Sequence, residues 1–159
     1  MGLFSDYMNE AGKSPVEVKW TKKNKNYHGE FFIGEQKFEI AVTLMDNDSA
    51  DIYQFKFYRD ESTKMYNDIK YAFGVVATIK VALDYIVRLL KPDILVFAAS
   101  DNSTTRKALY RLEAANLATK YNYFDITRSK DIEEAGFESD VIFGIYKNKE
   151  ILKNALSEF

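Results

Sequence analysis

The sequence predicts an α+β protein: an antiparallel meander followed by β-α-β-α-β-β, forming one mixed central sheet with helices packed on it. Three observations lead there. Apolar and polar side chains alternate with period two in segments between residues 16 and 58, as half-buried strands require. From Ile69 to Leu90 apolar side chains instead recur every three or four residues, the spacing of a helix with one buried stripe. Ile94-Leu95-Val96-Phe97-Ala98-Ala99 is then an unbroken apolar run of strand length, which suits a central strand covered on both faces.

The elements follow in order. Residues 1–14 form an N-terminal segment with a short helical turn ending near Gly12. Val16-Glu17-Val18-Lys19-Trp20 alternates as a first strand. Phe31-Phe32-Ile33 and Phe38-Glu39-Ile40-Ala41-Val42 flank Gly34-Glu35, where glycine supplies the positive φ of a tight hairpin. After the polar turn Asp46-Asn47-Asp48-Ser49, a fourth strand spans Ile52–Tyr58. The helix that follows carries Ile69, Phe73, Val76, Ile79, Leu83, Ile86 and Leu90 on its buried stripe and stops before Pro92, because proline disfavours the α region for the residue ahead of it. Ser100-Asp101-Asn102-Ser103 offers N-caps for a second helix reaching about Lys120, with Leu109, Leu112, Ala115 and Ala118 facing inward. Tyr121–Ile126 and Asp140–Tyr146 close the sheet, and residues 149–159 form a terminal helix.

Composition bounds the function. The 159 residues suit a single domain, with 15–147 as its core, and such a chain buries enough surface to need no covalent staples. The sequence contains no cysteine, which removes disulfides, thiolate metal sites and thiol catalysis. The single histidine, His28, lies in the Asn-rich stretch Asn24–Gly29 and reads as a surface residue near a turn, so no metal site is expected. Net charge is −2 with both signs well mixed. Nucleic-acid binding is not expected, since phosphate neutralisation needs a basic excess. The one basic cluster, Lys19–Lys25, reads equally as a solvated strand end. No run reaches the roughly 18–20 apolar residues of a membrane span, and the start lacks a secretory pattern. A cytoplasmic location is the expectation.

The element order over residues 15–147 resembles that of GNAT-type N-acetyltransferases. Locally, Arg106-Lys107-Ala108-Leu109-Tyr110 resembles the family's helix after the central strand, where a Leu-Tyr pair is common. The resemblance implies parallel fourth and fifth strands that splay around acetyl-CoA, with Tyr110 as general acid. It also implies that Phe73, Gly74 and Val75 cradle the pyrophosphate on backbone N–H groups at a helix start, with Asn102 and Arg106 close to the cofactor. The match departs at the cradle. Lys70 and Gly74 are spaced one residue too far apart, and Val76 stands where a small residue belongs. Leu112-Glu113-Ala114 replaces the Gly-Phe pair that often follows the tyrosine, and Asn102 is one residue too far from Tyr110. Phe73–Thr78 and Ser103–Tyr110 also resemble small proteins encoded by bacteriophages, for which the resemblance implies no set chemistry and a host cytoplasm as the setting.

Each candidate has a plainer reading. Tyr110 also fits a tyrosine packed along a helix with its hydroxyl at the rim. Gly74 also fits close helix–strand packing, and Arg106 with Lys107 a solvated turn. Among Glu30, Glu39, Asp60 and Glu61 no carboxylate stands out as a general base. Two functions follow. The first is a non-catalytic, GNAT-like protein that needs no cofactor and binds a protein partner through aromatic surface around Tyr53–Tyr58 or Tyr121–Phe124; a homo-oligomer built through an edge strand also fits. The second is an acetyl-CoA-dependent N-acetyltransferase.

Overall fold

A computed structural model of the chain describes residues 14–59, 69–97, 104–126 and 143–157; of 69–72 and 104–106 it gives the backbone path only. The protein is α+β, with one mixed seven-stranded sheet in the order β1-β2-β3-β4-β5-β7-β6. The strands are β1 (Lys19–Lys23), β2 (Asn26–Ile33), β3 (Gln36–Leu44), β4 (Ile52–Arg59), β5 (Ile94–Phe97), β6 (Phe124–Asp125) and β7 (Phe143–Tyr146). Three helices are described: α1 (Ile69–Leu90), α2 (Thr104–Tyr121) and α3 (Lys149–Leu156). These residues fall into two compact units, Met1–Ala41 with Phe57–Leu89, and Val42–Lys56 with Leu90–Phe159.

In the first unit the meander forms through its turns. Asn24 takes φ 58° between β1 and β2, and Gly34 takes φ 61° between β2 and β3. Asparagine and glycine are the residues that tolerate this left-handed region at least cost. β1 pairs antiparallel with β2, Lys19 opposite Glu30 and Thr21 opposite His28. The inward face buries Phe31, Ile33, Ile40 and Phe57, and Phe31 stacks on Phe38 with centroids 5.2 Å apart. α1 buries Ile79, Leu83 and Ile86 from its apolar stripe, with Ala82 and Val87 alongside. Trp20 of β1 meets Tyr85 of α1 at 5.5 Å.

Two expectations shift here. The first strand starts three residues later than its alternation suggests, because Val16 spends its N–H on Thr78 Oγ1 at 3.1 Å and not on a sheet ladder. Phe73, assigned to the buried stripe, is 49% exposed near the start of α1. Thr78 is fully buried and also donates to the Gly74 carbonyl at 2.7 Å. Thr78→Val keeps the shape but strands the Val16 N–H. We expect a loss of about 1–3 kcal/mol, read as a lower urea midpoint at unchanged slope.

In the second unit β4 and β5 run parallel, in register from Ile52 opposite Ile94 to Phe55 opposite Phe97. Paired backbone bonds set that register. Asp93 and Ile94 both donate N–H to the Asp51 carbonyl, at 3.0 and 3.2 Å, and Asp51 N–H donates to Asp93 Oδ2 at 2.9 Å. β7 lies antiparallel to β5, and β6 antiparallel to β7. β5 is covered on both faces, as its apolar run requires. Ile94 joins a cluster with Ile52, Ile126, Tyr146, Leu152 and Ala155 of α3. On the opposite face Phe97 meets Tyr110 of α2. Asn148 caps α3, its Oδ1 accepting from Ile151 N–H at 2.9 Å.

α2 presents a face other than the expected one. Leu109 is buried, but Leu112 is half exposed and Ala115 only partly covered. The buried set is Leu109, Tyr110, Glu113, Ala114 and Leu117. Rotating the helix toward Tyr110 buries a large ring in place of a leucine, and Glu113 goes in with it. The strand expected over Tyr121–Ile126 shrinks to two residues. α2 runs to Tyr121, Asn122 turns the chain at φ 60°, and Tyr123 N–H returns to the Ala118 carbonyl. Pro92 does follow α1, yet Lys91 before it sits at φ 44° and not in the extended region. That left-handed residue just past Leu90 has the geometry of a helix C-cap.

Candidate functional site

The residues assigned to an acetyl-CoA site divide between the units. In the first, Phe73 is half exposed, Val75 is partly buried, and Gly74 is buried with its carbonyl engaged by Thr78. In the second, Tyr110 has no exposed surface. Its ring lies 5.3 Å from that of Phe97, which in turn makes an edge contact with Phe55 at 6.4 Å. The tyrosine is thus a core residue and not the rim residue of the plainer sequence reading. Asn102, Asp60 and Glu61, and the positions 98–103 where a splay beyond Phe97 would open, lie outside the described residues, as does the Arg106 side chain.

Comparison of the chain with known protein families, with curated proteins and with solved structures finds no match. Chemistry must therefore be read from the side chains themselves.

Two further groups in the second unit carry polar function. Glu113 is the one buried carboxylate among the described residues, and Asn116 Nδ2 approaches its Oε1 at 3.4 Å. Tyr123 donates its hydroxyl to the Pro92 carbonyl at 2.7 Å. Burial, and secondarily the nearby Asp93 carboxylate, raise the Tyr123 pKa, so the phenol stays a donor. Both groups are accounted for as parts of the scaffold.

The outward face of the meander holds a different set. His28 and Glu30 alternate on β2, so both point away from the face that buries Gly29 and Phe31. Counting back from the two-residue Gly34-Glu35 turn places Glu30 opposite Glu39 and Phe31 opposite Phe38, and the stacking of the latter pair agrees. His28 Nε2 lies 3.3 Å from Glu39 Oε1, and Lys37 Nζ 3.4 Å from Glu30 Oε1. One ligand atom from each of His28, Glu30 and Glu39 comes within 4.8 Å of the other two. Thr21 Oγ1 reaches the His28 carbonyl at 3.4 Å from the neighbouring strand.

Sequence reasoning singled out all three residues but never joined them. In the sequence His28 stands alone as a turn-proximal surface group, and Glu30 and Glu39 are two of four carboxylates among which none stands out as a base. The missing step was the hairpin count: a two-residue turn at Gly34 fixes which residues oppose one another. Among the described residues, no helix is long and apolar enough to cross a membrane.

Proposed function

We propose that the chain is a non-catalytic protein on a GNAT-like scaffold that acts by binding a protein partner. The observation that carries this reading is the complete burial of Tyr110. A general acid must reach its leaving group within hydrogen-bond distance, and a side chain with no exposed surface is poorly placed to meet a cofactor sulfur. Phe73, Gly74 and Val75 lie past the first four residues of α1, where backbone N–H groups bond within the helix and are not offered to a phosphate, which supports the reading further. For the binding role, Phe124 offers a half-exposed ring on β6 at the end of the sheet, stacked on Tyr146 at 5.3 Å and next in sequence to partly buried Tyr123. An aromatic with a packed base and an open face suits a docking surface.

One observation favours the alternative, an acetyl-CoA-dependent N-acetyltransferase with Tyr110 as general acid. β4 and β5 run parallel side by side, as that family's order requires. Thermal unfolding with increasing acetyl-CoA separates the two readings. A specific ligand at 100 times its Kd stabilises the folded state by about 2.7 kcal/mol. We expect no change in Tm up to millimolar acetyl-CoA. A rise that tracks the logarithm of the cofactor concentration would overturn the non-catalytic reading.

A further inference from the structure

We propose that His28, Glu30 and Glu39 form a binding site for a divalent first-row transition cation, with Zn2+ the best fit. This inference is independent of the fate of Tyr110, because the three residues lie on the outward face of the β2–β3 hairpin.

The backbone does most of the positioning. Two donors come from alternate positions of one strand and the third from the strand beside it, so their Cα positions are held by the sheet. The His28 Nε2 to Glu39 Oε1 separation of 3.3 Å is close to the distance between two ligands of a tetrahedral ion. With metal–ligand bonds of about 2.0–2.1 Å, that edge is roughly 3.3–3.4 Å. Glu30 completes the set by turning its own side chain, because all three donor atoms already fall within 4.8 Å.

The donor chemistry selects the ion. One imidazole nitrogen with two carboxylate oxygens suits Zn2+ and its first-row neighbours, whereas Mg2+ and Ca2+ prefer oxygen alone. Three protein ligands leave the fourth position to water. Electrostatics point the same way. Glu30 and Glu39 oppose one another across the hairpin, and like charges so placed destabilise a sheet. The chain's own groups now divide the task, the His28 Nε2 beside Glu39 and the Lys37 ammonium beside Glu30. A dication between the carboxylates would serve both at once.

Lys37 gives the proposal its sharpest consequence, because it competes with the metal for Glu30. Its ion pair is partly exposed, with side chains 24% and 37% accessible, and such pairs are weak. Removing Lys37 should therefore tighten metal binding. A cluster that served only as an ion-pair network would bind no metal with or without Lys37.

The test uses the full chain, stripped with chelator and titrated with Zn2+ by calorimetry and with Co2+ by visible absorption. We expect a single-site Zn2+ isotherm and cobalt ligand-field bands. His28→Ala and Glu39→Gln should each weaken binding by more than about tenfold, since even groups behind a metal's ligands are worth 10–100-fold. Lys37→Ala should tighten it several-fold, and as it retains every ligand it reports even if another variant folds poorly. The proposal is overturned by the absence of Zn2+ binding in both wild type and Lys37→Ala. It is also overturned by affinity that His28→Ala and Glu39→Gln leave unchanged. Equal affinity for Mg2+ or Ca2+ would refute the choice of ion.

Discussion

Gly144→Ala is expected to remove most of the protein's stability. Gly144 lies in β7 opposite Val96 of β5, with φ at 154°, a backbone conformation that L side chains rarely adopt. A Cβ built there would stand 2.1 Å from the Leu95 carbonyl oxygen and 3.0 Å from the Val96 Cα. Both neighbours are backbone atoms of the strand to which β7 is hydrogen-bonded, so no rotamer change relieves the overlap. The strands must separate, and β5 also carries the parallel ladder to β4. A cost on the order of 4 kcal/mol or more belongs to this class of change, against a total of about 5–15 kcal/mol for most domains. Urea unfolding followed by circular dichroism measures it. A variant whose midpoint matches the wild type would mean that β5 and β7 do not approach as described.

Tyr110→Ala is the second large effect. The ring has no exposed surface and sits against Phe97, itself buried. Deleting a buried aromatic side chain costs about 3–5 kcal/mol, the lost transfer energy plus the cavity left behind. Tyr110→Phe keeps the ring and loses only the hydroxyl, a change of about 0.5–1.5 kcal/mol. The ratio between the two variants identifies the role. A core residue gives a large first value and a small second one in chemical denaturation. Two small values, with both variants near wild-type stability, would show that the ring is not packed as described.

The elements with one dominant signal were legible from the sequence. Ile69–Leu90 repeats its apolar residues at helical spacing over six turns, and no competing pattern interrupts it. Ile94–Phe97 is apolar at every position, which only a strand covered on both faces tolerates. The mixed sheet followed from these two elements, because a strand, a long helix and a second strand return the chain parallel. What failed were choices between neighbouring faces. In α2, leucines at 109, 112 and 117 together with scattered alanines define two possible stripes, and hydropathy prefers the one without Tyr110 and Glu113. The fold buries both, Tyr110 against the Phe97 ring, a contact that no local pattern announces. The Val16-Glu17-Val18 alternation was real but was spent on an approach to the helix, with Thr78 in place of a strand as partner. The His28 cluster was legible in principle. It required the hairpin register to be carried across Gly34, a step from local pattern to pairing that residue-by-residue reading omits.

The division of the chain has a consequence for its synthesis. Residues 42–56 emerge from the ribosome before most of their own unit, whose other segment begins only at Leu90. The β4 start must find Asp93, 42 positions away, before the parallel ladder can close. Until then Ile52 and Phe55 have no β5 to pair with. Neither unit is a continuous stretch, so no single cut at residues 41, 56 or 89 liberates an intact half. A fragment ending at residue 89 holds β4 without β5, its parallel partner.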